Sequence, residues 1–220
     1  MKKKCIGFIP VKKNSTRLPS KNFLKFGNKK LYQYFILKVI KSNLDDIYVN
    51  TDSKEVIQWC KKNNIKYLIR PDNLSFDSAN GNDLLMFDAS KIDSDVYFQL
   101  FVTSPFLKIK TINKAISIIK NNKYDSIFTA EKMNTWFWYK NRPLNYNPKV
   151  LPRSQDSTFV VKETTGLYAI KKNSLKKNRC RIGSNPYMLF VNKVESLDID
   201  EKIDYEIAKK LYGLSEKNFN

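Results

Sequence analysis

Histidine is absent from this 220-residue chain. That excludes a Ser-His-Asp triad, a histidine general base and His-ligated zinc, and leaves carboxylates, lysine, arginine, tyrosine, cysteine or a hard metal ion for any catalysis. Cysteine is scarce. Cys5, Cys60 and Cys180 are odd in number and far apart, with no C-x-x-C among them, which argues against a disulfide framework or a zinc site. Cys5 reads instead as a small core residue of the first strand. No apolar run approaches the roughly 20 residues of a membrane span. The basic start, Lys2-Lys3-Lys4, leads into an apolar stretch that ends at Pro10, too short for a signal-peptide core and without a small-residue cleavage site. These absences point to a cytoplasmic chain. Neither glycine signature for phosphate binding is present: there is no G-x-x-x-x-G-K-[ST], and Gly7 stands alone where G-x-G-x-x-G would need company.

What is abundant is positive charge, +19 at pH 7. Such a field suits anionic partners, and nucleic acid has to be weighed among them. The charge is mostly lysine, with only six arginines, and it is spread along the chain rather than massed in a tail. No C₂H₂, RRM or helix-turn-helix pattern accompanies it. The safer inference is attraction of nucleotides and sugar acids, with a basic nucleic-acid-binding protein kept as the alternative from another class.

Apolar and polar patterns alternate at a pace that predicts βαβ units. Strands are expected at 5–9, 47–49, 66–69, 96–102 and 126–130, with helices at 31–40, 82–90 and 110–121, and one running from an N-cap at Ser53 to about 62. Further strands are expected at 159–170 and 187–191, and a closing helix at 204–212. In a mainly parallel sheet, ligands collect beyond the carboxyl ends of the strands, where the loops after Pro10, Asn50, Ile69 and Val102 would converge. The pattern breaks at 133–158, where Trp136-Phe137-Trp138-Tyr139 sits in Asn- and Pro-rich sequence. That stretch reads equally as an excursion packing on a partner subunit or as an aromatic plug under the domain's own core. No repeat or low-complexity tract divides the chain, so a single domain over 1–220 is expected.

Two segments carry most of the chemistry. The first strand opens into a loop holding Lys12, Lys13, Arg17 and Lys21, with Asn14, Ser15 and Asn22 between them. Point charges, one planar fork and free loop N–H groups suit a polyanion. On its own the loop also reads as a solvated basic surface. Near the other end, Asp198-Ile199-Asp200 places two carboxylates two residues apart, on one side of an extended chain, with Asp204 following. Two carboxylates with phosphate oxygens and water make a Mg²⁺ site, although Asp is also common at helix starts.

The loop pattern K-x-x-S-x-R-L-P-x-K-N resembles the N-terminal signature of the CMP-sialate synthetases (acylneuraminate cytidylyltransferases), and Ser15 to Lys21 partly matches the related CMP-Kdo synthetases. Asp198-Ile199-Asp200-x-x-x-Asp204 resembles that family's D-I-D-x-x-x-D, and the likeness runs over residues 6–211. The resemblance implies a three-layer αβα, Rossmann-like nucleotidyltransferase with a mostly parallel sheet and a small dimerisation excursion. It implies a homodimer that uses CTP and Mg²⁺ or Mn²⁺ to transfer CMP to a 2-keto-3-deoxy sugar acid, with release of pyrophosphate. By resemblance, Lys12, Asn14, Ser15, Arg17, Lys21 and Asn22 would hold the triphosphate, Lys21 also acting catalytically with Asp198 and Asp200. Those two aspartates would hold the metal, with Asp204 capping the last helix.

Arg70-Pro71 through Asp77-Ser78-Ala79 resembles the family's nucleotide-holding segment, with Arg70 and Ala79 facing the nucleotide, Asp77 shaping the loop, and Gly81 at a helix start beside it. Thr103-Ser104-Pro105 and Pro152-Arg153-Ser154-Gln155-Asp156, with Tyr168, resemble acceptor segments. There Arg153 would pair with an acceptor carboxylate, assisted by Thr103, Ser104, Gln155 and Tyr168. The chain departs from the family in three places. Lys12 stands where the family has Arg, Phe101-Val102 where many members have Gln-Pro, and Glu163-Thr164 replaces a polar pattern. The last two departures lie in the acceptor half. They keep a Kdo-like acid, another sugar, or a phosphate or phosphonate metabolite open as the acceptor.

Overall fold

The computed structural model describes residues 3–76 and 78–217. Strand β1 (Cys5–Val11) is buried along its whole length. It pairs in parallel with β2 (Asp46–Thr51) on one side and with β4 (Val96–Leu100) on the other, and β3 (Lys66–Ile69) extends the sheet beyond β2, again in parallel. A strand enclosed on both edges and both faces must be apolar throughout, which is why Cys-Ile-Gly-Phe-Ile-Pro-Val carries no polar alternation.

Beyond β4 the sheet continues through β6 (Val160–Lys171), β5 (Ser126–Met133) and β7 (Pro186–Phe190), giving the order β3-β2-β1-β4-β6-β5-β7. Only β6 runs antiparallel. Its pairing with β5 shifts register between Glu163 and Tyr168. The expected mostly parallel, Rossmann-like α/β architecture is thus present.

Two helical layers cover the sheet. On one face, α1 (Leu31–Val39), α2 (Lys54–Lys62) and α4 (Ile109–Lys120) bury Phe35, Val56 and Ile116 with Cys5, Ile9 and Val11 of β1. On the other, α3 (Gly81–Lys91) and α5 (Lys172–Asn178) bury Leu85 and Leu175 against Ile6 and Phe8. The two-residue period of a strand divides β1 between these two cores. Ser53 caps α2, its Oγ accepting from the Val56 N–H. Asn80 and Asp83 form a reciprocal capping box on α3.

The final helix, α6 (Lys202–Lys217), docks through Ala208, Tyr205 and Tyr212 onto Phe26, Leu31 and Tyr34. Tyr205 Oη also donates to the Lys25 carbonyl at 2.6 Å. This docking carries the approach to α6, and with it Asp198 and Asp200, back to the loop that follows β1. Between β5 and β6 runs the aromatic stretch, with Trp138, Tyr139, Leu144, Val150 and Leu151 exposed. They do not plug this chain's own core. Among the described residues, no helix is long and apolar enough to cross a membrane.

Candidate active site

The chain leaves β1 toward β2 and β3, then returns to lay β4 on the opposite side of β1. That reversal opens a crevice at the carboxyl ends of β1 and β4. A cleft lies there. It gathers Lys12, Ser15, Arg17 and Lys21 from the first loop, Arg70 and Ala79 from the β3–α3 segment, Thr103 from the turn after β4, and Asp198 and Asp200 from the approach to α6.

The first loop is braced rather than draped. The Lys13 N–H donates to Asp52 Oδ1 at 2.7 Å, Asn22 Nδ2 donates to the Lys12 carbonyl at 2.9 Å, and Thr51 Oγ1 donates to the Val11 carbonyl at 2.7 Å. Ser20, at φ 54°, turns the chain into a single helical turn at Lys21–Phe23. Lys21 Nζ donates to Asp200 Oδ1, and Arg17 Nη1 to Asp200 Oδ2, both at 2.8 Å. Burial pushes the Asp200 carboxyl up, but the hydrogen bond and charge of Lys21, with Arg17 behind them, hold it below the ordinary carboxylate value.

Asp198 and Asp200 are set by two further tethers. The Ile199 N–H between them donates to the Thr103 carbonyl at 2.7 Å. Asp204 accepts from the N–H groups of Asp200 and Glu201, at 3.0 and 2.8 Å, so it caps α6 and positions Asp200 at once. Asp198 Oδ1 is buried with no hydrogen-bond partner. An orphaned carboxylate oxygen beside a second carboxylate fits a hard cation. Among the described residues no group of three or more potential ligands is assembled, so phosphate oxygens and water would have to complete the shell around these two.

On the β3–α3 side of the cleft, Arg70 is 3% exposed. Its Nε donates to Asn50 Oδ1 at 2.7 Å and its Nη2 to the Asn50 carbonyl at 3.1 Å, while Asn50 Nδ2 donates to Asp88 Oδ1. Desolvation pushes the Asp88 carboxyl up to about 7, against the pull of Asn50 and Arg70. Neither Asn50 nor Asp88 stands out in the sequence as a site residue, since one ends a strand and the other occupies a helix.

The remaining sequence-expected residues fall into place unevenly. Asn22 lines the cleft and also serves as a brace, whereas Asn14 faces a neighbouring depression with Asp52 and Glu55. Asp77 lies outside the described residues. Gly81 begins α3 behind the cleft wall, and two of the helix's first N–H groups, those of Asn82 and Asp83, are taken by Asn80 Oδ1. Ser104 is buried, its Oγ 3.4 Å from Thr165 Oγ1. Tyr168 is buried, and its hydroxyl donates to Glu163 Oε1. Burial, then the Glu163 contact and more weakly Asp198, hold that hydroxyl protonated well above its ordinary range.

Arg153 and Gln155 do not join the cleft. Arg153 is exposed on the excursion, where its Nε donates to Asp156 Oδ2 at 2.6 Å, three residues along the same turn. The cleft instead receives an arginine that the sequence did not single out, Arg181, together with Phe101 and Thr165. No local pattern in the sequence marks it, and only the fold brings it here. Three of the six arginines, Arg17, Arg70 and Arg181, line this one cleft, but only two of the many lysines do.

Known proteins resemble this chain over most of its length. N-acylneuraminate cytidylyltransferase A of Danio rerio is 27% identical over 213 residues, covering 92% of this chain and 49% of that protein. The 3-deoxy-manno-octulosonate cytidylyltransferase of Rickettsia typhi is 26% identical over 185 residues, covering 77% and 73%. The chain thus spans about half the length of the acylneuraminate relative and most of the octulosonate one. Among solved structures, CMP:2-keto-3-deoxy-manno-octonic acid synthetase complexed with CTP superposes with a TM-score of 0.73 at 16% identity, covering 96% of this chain and 99% of that one, which shows the shared fold. The sequence profile of the cytidylyltransferases matches residues 6–219, nearly the whole chain, and the protein belongs to that family.

Proposed function

We propose that this protein transfers CMP from CTP to the hydroxyl of a 2-keto-3-deoxy sugar acid and releases pyrophosphate. The observation that carries this reading is the meeting of Lys21 and Arg17 with Asp200, beside the orphaned oxygen of Asp198, in one cleft. Cations that can release a carboxylate to receive phosphate, next to a carboxylate pair, suit a nucleoside triphosphate carrying its metal ion. The relatives' names supply the nucleotide and the two acceptor classes, N-acylneuraminate and 3-deoxy-manno-octulosonate.

In this reading the acceptor oxygen bonds to the α-phosphorus as the bond to the bridging oxygen of pyrophosphate breaks. Lys12, Ser15, Arg17 and Lys21 bind and align the triphosphate, and Lys21 faces the charge that grows on the leaving group. Arg70, fixed by Asn50, supports the nucleotide side. Asp198 and Asp200 would hold Mg²⁺ or Mn²⁺, which when bound supplies Lewis acidity at the α-phosphate and eases loss of the acceptor's proton. The exposed aromatic excursion would pair two copies, as Trp138, Tyr139 and Leu151 present apolar surface that this chain does not cover.

Thermal stability in Mg²⁺ with each of the four nucleoside triphosphates tests the nucleotide half. Stabilisation by CTP above ATP, GTP and UTP is the expected result, and equal indifference to all four removes the reading.

A further inference from the structure

Arg181 has no part in the chemistry described so far, yet its placement is elaborate. Its guanidinium carbon stands 3.6 Å from the centroid of the Tyr168 ring and 5.8 Å from that of Phe101. Tyr168 is 1% exposed and cannot yield, so the guanidinium lies on a fixed aromatic floor. The Arg181 N–H is held by Asn82 Oδ1 at 2.9 Å. Gly81 clears space for the side chain: a Cβ there would come within 2.4 Å of Arg181 Nη1. Gln99, whose Nε2 is anchored on the Gly81 carbonyl at 2.8 Å, closes the wall behind.

The fork itself is left largely unspent. Its Nη1 reaches Gln99 Oε1 at 3.4 Å, and Nη2 stands 3.7 Å from Glu163 Oε1, an oxygen already bonded by the Tyr168 hydroxyl. Both contacts are long beside the roughly 2.7–2.9 Å of a strong charge-assisted bond. Five N–H donors with one long hydrogen bond among the described residues, on a side chain only 22% exposed, are poised for an anion from the cleft. An arginine that merely packed would need neither the glycine opposite nor the vacant donors.

We infer that Arg181 reads the acceptor's negative charge, its planar fork pairing with the acceptor carboxylate over the Tyr168–Phe101 floor. The inference rests on the cytidylyl-transfer reading and deepens it. In the ring form of a 2-keto-3-deoxy acid, the carboxylate and the attacking hydroxyl share one carbon, so the group that reads the carboxylate must stand beside the groups that govern the hydroxyl. Arg181 meets that condition, because it lines the same cleft as Asp198 and Asp200. Arg153, turned to Asp156 on the excursion, does not meet it in this chain. A planar carboxylate suits the fork as a bidentate partner, and a neutral sugar would leave a partly buried cation unpaired, which makes the site selective for acids.

The test is steady-state pyrophosphate release by the full chain with CTP, Mg²⁺ and either N-acetylneuraminate or 3-deoxy-manno-octulosonate, each as the free acid and as its methyl ester. The parent is compared with Arg181→Gln and Arg181→Lys. For Arg181→Gln the expected result is a fall of about 10- to 100-fold in kcat/KM for the acid, carried by the acceptor KM, with the CTP KM unchanged and the preference for acid over ester lost. Arg181→Lys keeps the charge without the fork and should show a smaller fall in the same direction. It carries the test if the Gln variant loses its CTP-dependent thermal stabilisation. An acceptor KM within twofold of the parent, with the acid preference intact, overturns the inference while cytidylyl transfer stands. A raised CTP KM with unchanged acceptor KM assigns Arg181 to the nucleotide and overturns it as well. Absence of CTP-dependent turnover by the parent with either acid overturns the transfer reading, and this inference with it.

Discussion

Lys21 and Asp200, separated by 179 positions in the chain, meet at 2.8 Å. One sits just after the first strand and the other just before the last helix, so the contact closes the cleft from both ends of the sequence. Asp200→Asn keeps the shape and removes the charge. Turnover should fall by about 10²–10⁴-fold, the scale of a lost electrostatic contribution to the transition state, with CTP-induced stabilisation retained. The stability loss should be only about 1–2 kcal/mol, since Asp200 and Arg17 are partly solvated. Because the folded Asp200 carboxyl is held below its ordinary value, its contribution is present above the unfolded pKa, about 3.9, and disappears as pH falls through the lower folded one. Urea titrations at pH 3 and pH 7 should therefore show parent and variant converging in acid.

Asp88 titrates in the opposite sense. Burial raises its carboxyl to about 7, so between about pH 4 and 7 the folded protein keeps a proton that the unfolded chain has released. Stability attributable to Asp88 declines as pH rises across that window and levels above it. Asp88→Asn cannot titrate, and its stability relative to the parent should improve from pH 4 to 7, by at most about 1.4 kcal/mol per pH unit. A constant difference between the two proteins across that range would contradict the buried-carboxylate account.

Gly81→Ala places a methyl group within 2.4 Å of Arg181 Nη1 and 3.3 Å of Gln99 Oε1. The nearer atom ends a flexible side chain, so the fold should absorb the change with the melting temperature unaltered. The cost should fall on the acceptor, whose KM should rise several-fold with the CTP KM unchanged. Steady-state kinetics with each substrate varied in turn checks the split.

Gly27 is a matter of stability alone. Its φ of 62° is left-handed, and a Cβ there would meet the Tyr212 ring and hydroxyl at 2.5–2.6 Å. Tyr212 packs edge-on against Tyr34 and close to Phe26, so it has little room to retreat. Gly27→Ala should cost about 1–3 kcal/mol, read as a lower urea midpoint.

Much of this was legible in the sequence because parallel strands are continuous apolar runs and the helices between them carry amphipathic spacing. Strand β1, the Ser53 cap and the helix over Ile109–Lys120 appear within a residue or two of where the pattern places them. The first loop and Asp198-Ile199-Asp200 were legible because each is local, with its chemistry set within a few positions. The antiparallel course of β6 was not, since apolar spacing reports that a strand exists and not which way it runs. Arg181 was hidden for a related reason. Its partners Asn82, Gln99, Phe101, Glu163 and Tyr168 come from α3, from β4 and the residue just beyond it, and from β6, and only the folded chain brings them together. The aromatic stretch left two readings open, and the exposure of Trp138 and Tyr139 removes the one in which they fill this chain's core.

The most direct test is pyrophosphate release from each of the four nucleoside triphosphates in Mg²⁺, with N-acetylneuraminate and with 3-deoxy-manno-octulosonate, by the parent protein and by Asp200→Asn. The account predicts release from CTP that depends on a sugar acid and falls by at least about 10²-fold in the variant. Release that is indifferent to the nucleotide, that proceeds without any acid, or that survives in Asp200→Asn would contradict it.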